Sequence, residues 1–241
     1  MPDDVTQDVT QDVTQDVTGG VVDDAPGGRS PALATVLPAF ARCAERTADV
    51  ELADVLPQEA GLLGLAGSRE RAQSVTVRRC AQEAVAALGA TCGVLPRGAS
   101  GEPGWPPGLV GSLTHCAGYR GAAVARARDA LSLGIDAEPH EALSPGLLGL
   151  VASPEEAAAL RSAPRGVHGD RVLFCAKEAA YKAWWPLTRR WLGMLHVVAE
   201  LRGEAFTVRV PGARDGEPAL LHGRWAVRDG RVLAAVTVPV P

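Results

Sequence analysis

Lysine is nearly missing from this 241-residue chain: only Lys177 and Lys182 occur, against 22 arginines among 24 basic residues. An ammonium is a compact point charge suited to gripping a phosphate oxygen, whereas a guanidinium is a planar fork, so the two positions that remain lysine draw attention first. Apolar runs are short and broken by Gly, Arg or Pro, far below the ~20 residues that a membrane span needs, which excludes a transmembrane helix. The N-terminus has neither a basic nor an apolar region, which argues against a secretory signal and makes the cytoplasm the expected compartment. Five cysteines, Cys43, Cys80, Cys92, Cys116 and Cys175, include no Cys-x-x-Cys pair and are odd in number. Neither a disulfide framework nor a zinc site is implied, and the thiols are expected to be reduced and mostly buried. No basic stripe interleaved with aromatics is present, which excludes nucleic acid as a partner.

What is present divides unevenly along the chain. The first 28 residues carry seven aspartates and no basic residue, with a four-residue Asp-Val-Thr-Gln repeat over residues 4–18. Such a period supports neither an amphipathic helix nor a one-sided strand, so residues 1–28 are expected to be a disordered acidic tail. Without them the formal charge changes from −4 to +3, 24 positive against 21 negative. A mildly basic body suits a small polyanion or an acidic protein surface. The hydrophobic content of 46% is ample for a core.

Residues 68–89 read as a helix, with Val77, Ala81, Ala84, Val85 and Leu88 at helical spacing and Gly89 as the stop. Arg78 and Arg79 flank that stripe, and an i,i+4 pair of Arg79 with Glu83 is the plain expectation. Residues 96–108 must be loop, from their density of Pro and Gly. Three antiparallel strands follow, at about 109–116, 121–126 and 131–138. In the third, Leu131, Leu133, Ile135 and Ala137 alternate with Ser132, Gly134, Asp136 and Glu138. Period two buries the first set and puts Asp136 and Glu138 on one polar face, where they need a cation or a solvated surface.

Ser153, Pro154 and Glu156 form a helix start, with Ser153 as N-cap and Glu156 closing a capping box. Residues 172–185 read as another helix, on which Glu178 and Lys182 are four apart and share a face. Lys177, about 100° around the helix from Glu178, could orient the site, neutralise a neighbouring acid or touch a partner. Beyond Pro186 strands are expected, with Asp229-Gly230 turning a hairpin. Three carboxylates and one ammonium can hold a magnesium ion while the lysine neutralises a phosphate, and His115 at a strand end could bond a second phosphate.

Three segments carry a resemblance: Gly-Ser-Leu-Thr-His at 111–115, Gly-Ile-Asp-Ala-Glu at 134–138, and Phe-Cys-Ala-Lys-Glu-Ala-Ala-Tyr-Lys at 174–182. In this order and spacing the chain resembles the Sfp-type 4′-phosphopantetheinyl transferases, especially the actinobacterial branch that includes the mycobacterial enzyme, over roughly residues 68–193. The resemblance implies an α+β fold of two similar halves related by a pseudo-twofold axis, about 29–128 and 129–241, with a ligand cleft between them. It implies transfer of phosphopantetheine from coenzyme A to a serine hydroxyl of acyl or peptidyl carrier proteins, with release of adenosine 3′,5′-bisphosphate, by a monomer. Asp136, Glu138 and Glu178, with the Ala137 backbone, match the family's Mg²⁺ ligands, Mn²⁺ being an alternative metal. Glu178 is ligand, general base or both, and Lys182 contacts the reacting phosphates. Thr114 and His115 match the group at the coenzyme A 3′-phosphate. Arg78, the loop of Arg97, Gly98, Ala99 and Ser100, and the backbone of Leu192 match further coenzyme A contacts. One departure is Glu70, where the family commonly has a basic residue; Arg69 and Arg71 flank it. Glu156 matches an acidic residue that some members place at the site, beside its capping role. Rival readings are a magnesium-dependent pyrophosphatase acting on coenzyme A or a nucleotide, and a non-catalytic coenzyme A or carrier-binding module.

Overall fold

A computed structural model describes residues 30–54, 57, 59, 67–144 and 146–241, so the acidic repeat lies outside the described residues. Residues Pro31–Pro241 make one compact unit. Among the described residues no helix is long and apolar enough to cross a membrane.

Strands β1 (Arg42–Arg46), β2 (Leu109–Cys116) and β3 (Tyr119–Arg126) form an antiparallel sheet in the order β1-β3-β2. Helix α1 (Ser68–Ala87) covers one face, burying Cys80, Ala81, Ala84 and Val85 against Ala122 and Val124 of β3. That is the apolar stripe the helical spacing anticipates. Arg79, however, pairs with Glu59 at 2.9 Å rather than with Glu83, which is held by Arg46. An i,i+4 neighbour on an exposed helix contributes only a few tenths of a kcal/mol, so a partner offering bidentate geometry wins it.

The second sheet has five antiparallel strands in the order β4-β8-β7-β6-β5: β4 (Ser132–Pro139), β5 (Val198–Arg202), β6 (Ala205–Arg209), β7 (Leu220–Arg228) and β8 (Arg231–Val238). Asp229 (φ 49°) and Gly230 (φ 72°) turn the β7–β8 hairpin, both residues left-handed as a two-residue turn of this kind requires. Short helices α2 (Leu148–Val151) and α3 (Pro154–Ala159) lead to α4 (Gly169–Thr188). Ser153 and Glu156 make the expected capping box. Helix α4 begins three residues earlier than its apolar contacts suggest and runs through Pro186 to Thr188, ending at left-handed Arg189 (φ 54°). Proline removes one hydrogen bond there without stopping the helix, and the next strand waits until Val198.

The layers stack as helix, sheet, sheet, helix. Tyr119 and Ala123 on the inner face of the first sheet pack on Leu133, Ile135, Leu233 and Ala235 of the second. The opposite face of the second sheet packs on α4 through Val172, Cys175, Ala176, Ala179 and Ala183, with Val208, Leu221 and Val236. This corrects the reading of β4 as half-exposed: Ser132, Gly134 and Asp136 are buried like Leu133 and Ile135, because α4 lies on their face. A β-carbon at Gly134 would stand 2.0 Å from the Ala179 carbonyl oxygen and 2.5 Å from the Ala183 nitrogen, so glycine is what allows this close approach. Leu131 falls outside the strand and is exposed.

Candidate active site

β4 and α4 supply the central charges, and their close contact at Gly134 brings the two sets together. Asp136 is 4% exposed and accepts at Oδ1 from Lys182 Nζ at 2.7 Å and from Thr114 Oγ1 at 3.1 Å. Its Oδ2 is buried and has no hydrogen-bond partner among the described residues. A bare buried carboxylate oxygen costs free energy unless a ligand or cation completes it.

Glu138, two residues along the same face, pairs with Arg171 Nη1 at 3.0 Å. Arg171 is itself buried and also donates to the carbonyls of Glu141 and Ala142. Sequence reasoning missed this arginine, although the signal was there: 171, 178 and 182 are spaced seven and four apart on one helix and so share a face. Glu178 makes no hydrogen bond or ion pair with a described residue. Its carboxyl is pushed up to about 7, by burial first, with Asp136 adding to the rise and Lys182 opposing it. Glu138 is pushed up to about 8 by burial and then by Asp136, against the pull of Arg171. Burial disfavours the Lys182 ammonium, but Asp136 and Glu178 outweigh it and raise its pKa above the ordinary value.

His115, one residue before the end of β2, is exposed to solvent. Enclosure by protein lowers its pKa first, and the Lys182 and Arg120 cations add to that. Solvent at the exposed ring screens both effects, so the direction is the useful part: a neutral imidazole beside cations, ready to gain a proton if an anion arrives. Thr114 beside it is 2% exposed, its hydroxyl turned inward.

The other expected contacts form a second group. Arg78 is buried, with Nε donating to the Leu95 carbonyl at 3.0 Å and Nη1 to that of Ser74 at 3.2 Å. Burial and then the Arg97 charge lower its pKa, which places two guanidinium groups close enough to repel and to favour an anion. Arg97, Gly98, Ala99 and Ser100 belong to a tight loop: Gly98 N–H donates to the Glu102 carbonyl at 2.7 Å and Ser100 N–H to the Glu102 carboxylate at 3.0 Å. Arg189 at the end of α4 reaches that carboxylate at 3.0 Å and so ties the loop to the helix carrying Glu178 and Lys182. Leu192 is partly buried and packs on the core of the second sheet. Arg69 is exposed and Arg71 half-buried, while Glu70 lies in the first turn of α1, where a carboxylate complements the helix dipole.

Lys177 separates fully from Lys182. Its side chain is inaccessible, and Nζ donates to Glu156 Oε2 at 2.7 Å and to the carbonyls of Val151 (2.7 Å), Met194 (2.9 Å) and Val197 (3.4 Å). Glu156 also accepts from the backbone of Ser153 and Ala199. Of the roles open to Lys177, neutralising a neighbouring acid is the one taken, and the Glu156 carboxylate is committed to capping and to this pair. Cys175 is fully buried in the core, and Cys116 packs beside the inter-sheet core. Burial raises both thiols, consistent with packing rather than reaction.

A divalent cation would meet these residues through oxygen atoms. The candidate donors are all oxygens, which suits a hard ion, and Asp136 Oδ2 is bare. As the side chains stand, however, no three acidic, histidine or cysteine groups among the described residues converge tightly enough to form a metal cluster. Lys182 and Arg171 instead balance Asp136 and Glu138. The donor chemistry fits Mg²⁺ or Mn²⁺. Ala137 can contribute only its carbonyl, since its N–H donates to Thr114 Oγ1 at 3.1 Å.

Comparison with known proteins accounts for both halves of this arrangement. Residues 58–125 match the 4′-phosphopantetheinyl transferase N-terminal domain. Residues 132–235 match the 4′-phosphopantetheinyl transferase superfamily. The chain is 47% identical over 195 residues to the 4′-phosphopantetheinyl transferase PptT of Mycobacterium tuberculosis, a match covering 76% of this chain and 86% of that protein. It is 43% identical over 216 residues to the 4′-phosphopantetheinyl transferase Npt of Nocardia iowensis, covering 84% and 97%. With the 4′-phosphopantetheinyl transferase Svp of Streptomyces mobaraensis it shares 44% over 196 residues, covering 78% and 80%. Matches of this identity and length run through the strand, helix and loop that carry the buried carboxylates, the lysine and the paired arginines, and the chain belongs to the 4′-phosphopantetheinyl transferase superfamily.

Proposed function

We propose that this chain transfers the 4′-phosphopantetheinyl group of coenzyme A to a serine hydroxyl of an acyl or peptidyl carrier protein, as a monomer in the cytoplasm. The observation that carries the reading is the buried Asp136 carboxylate, whose Oδ1 holds the ammonium of Lys182 and whose Oδ2 has no hydrogen-bond partner among the described residues, with Glu178 on the helix face of that lysine. In the reaction the serine Oγ bonds to the phosphorus that bears pantetheine. The bond from that phosphorus to the bridging oxygen breaks, and adenosine 3′,5′-bisphosphate leaves with the electron pair. Glu178 or a bound water takes the serine proton.

Lys182 neutralises a phosphate oxygen of the donor, the compact ammonium reaching where a guanidinium fork is too wide. His115 with the 3′-phosphate, and Arg78 with the 97–100 loop on the rest of the nucleotide, hold the donor, drawing on residues from both halves of the chain. Asp136, Glu138 and Glu178, with the Ala137 carbonyl, would hold Mg²⁺ or Mn²⁺. That ion would offset negative charge on the diphosphate and leaving group. Positioning and electrostatics supply the catalysis, and the nucleophile belongs to the carrier.

Incubation with coenzyme A, Mg²⁺ and an apo carrier domain should yield a carrier heavier by one phosphopantetheine on its serine. No mass gain across several acyl and peptidyl carriers refutes the proposal. Bisphosphate release at the same rate without a carrier points to a pyrophosphatase instead.

A further inference from the structure

Strands β2 and β4 meet where the two sheets meet, and two hydroxyls join them. Ser112 Oγ accepts the Ile135 N–H at 3.1 Å, and Thr114 Oγ1 accepts the Ala137 N–H at 3.1 Å. β4 uses its other edge to pair with β8, so these N–H groups would otherwise be orphaned inside the protein. Only Thr114 does more. With a lone pair given to Ala137, its single proton goes to Asp136 Oδ1 at 3.1 Å, the oxygen that also accepts from Lys182. One carboxylate oxygen is thereby doubly satisfied, and the other, Oδ2, is left bare. A carboxylate on a two-torsion side chain is oriented by whichever oxygen is held, and here two donors hold the same one.

The geometry points to Thr114 as a positioning residue, one that fixes the rotation of Asp136 by holding Oδ1 beside Lys182, rather than as a contact for the donor's 3′-phosphate. At 2% exposure, with donor and acceptor capacity both engaged, its hydroxyl has nothing left to offer an incoming phosphate. Thr114, with Ser112, also connects the strand carrying His115 to the strand bearing Asp136. This inference rests on the function proposed above, in that Asp136 is the acidic residue on which the site is built.

The experiment compares Thr114→Val, Thr114→Ser and Ser112→Ala with the unaltered protein. Two readouts are used: Mn²⁺ binding without coenzyme A, by electron paramagnetic resonance, and kcat and KM with coenzyme A and with 3′-dephospho-coenzyme A. Losing one hydrogen bond to a charged group corresponds to about 10-fold or more. Thr114→Val should therefore weaken Mn²⁺ binding and lower kcat by about 10-fold or more, equally with both donors, with KM changed less than about 2-fold. Thr114→Ser should restore both. Ser112→Ala, which removes a strand link without touching Asp136, should leave Mn²⁺ affinity unchanged. A Thr114→Val loss confined to coenzyme A and expressed in KM overturns the inference in favour of a phosphate contact. Equal Mn²⁺ losses in Thr114→Val and Ser112→Ala overturn it in favour of simple strand linkage, and unchanged Mn²⁺ binding in a folded Thr114→Val overturns it outright. If Thr114→Val does not fold, the smaller Thr114→Ala is read by the same criteria. Should the unaltered protein transfer nothing, the proposed function fails, while the Mn²⁺ comparison still decides the role of Thr114.

Discussion

Lys177→Met removes a buried ammonium and leaves its surroundings otherwise the same size. The pair it breaks is inaccessible on both sides, 0% exposed at Lys177 and 3% at Glu156. Glu156 then keeps two backbone donors, Ser153 and Ala199, but loses its countercharge. The carbonyls of Val151, Met194 and Val197 lose a donor at the same time. Removing one member of a buried ion pair costs about 3–5 kcal/mol, because the remaining charge is stranded. For a domain of this size that is about 6–20 °C in melting temperature, at about 2–4 °C per kcal/mol. Thermal and urea unfolding followed by circular dichroism measure it. Because the Lys177 ammonium is engaged by Glu156 and three carbonyls and not by Asp136, the folded variant assayed well below its transition should keep its KM for coenzyme A within about 2-fold. Adding Glu156→Gln removes the stranded charge while retaining an acceptor for Ala199, and should recover part of the stability. A loss under about 1 kcal/mol refutes the buried pair as read. Intact stability with lost transfer places Lys177 on a ligand instead.

Three further outcomes follow from the same geometry. Gly134→Ala drives a methyl group into the backbone of α4 at Ala179 and Ala183; it should destabilise by about 1–3 kcal/mol in denaturant titration and reduce transfer by displacing Glu178 and Lys182 from β4. Arg171→Met takes away the partner of the half-buried Glu138 carboxyl, which is raised to about 8, so the loss of stability should be greater above about pH 8, where the carboxylate is charged, than near neutral pH, whereas an equal loss at both would contradict that shift. Without added metal, stability should depend on pH in a particular direction: Glu138 and Glu178 are raised from 4.5 to about 8 and about 7, so the folded protein holds protons that the unfolded chain has released. Stability from these groups is fully present below the ordinary carboxylate pKa of 4.5 and is lost as pH rises to the raised values, so the melting temperature should fall between about pH 4.5 and about pH 8; a rise across that interval contradicts the shifts.

Much of this protein was legible in the chain. Period-two alternation located β4, the capping box located α3, and Asp229-Gly230 located the final hairpin, since each signal is local and stereochemical. Glu178 and Lys182 were readable as a shared face because an ideal helix fixes their angular separation. The boundaries of α4 were less readable: Arg171 and Asp170 extend it before the first aromatic, and Pro186 fails to end it, because packing on the sheet sustains the last turn. Arg79 took Glu59 in preference to the nearby Glu83, and no helical spacing carries information about a partner 20 residues away.

The sequence by itself determined the helices and strands that carry the charges, though not β1 or the short helix α2, and their assignment to a family, because helix and strand periods and short motifs are written in neighbouring residues. It singled out Lys182 for the site but left three roles open to Lys177. Lys177 and Lys182 both lie on α4, yet one is enclosed by Glu156 and three carbonyls and the other meets Asp136. Nor did it show that the acidic face of β4 is roofed by a helix, or that Thr114 turns Asp136. Those outcomes depend on which surfaces come together across sheet and helix, and only there does burial remove water, leaving each charge to find a partner supplied from a distant part of the chain.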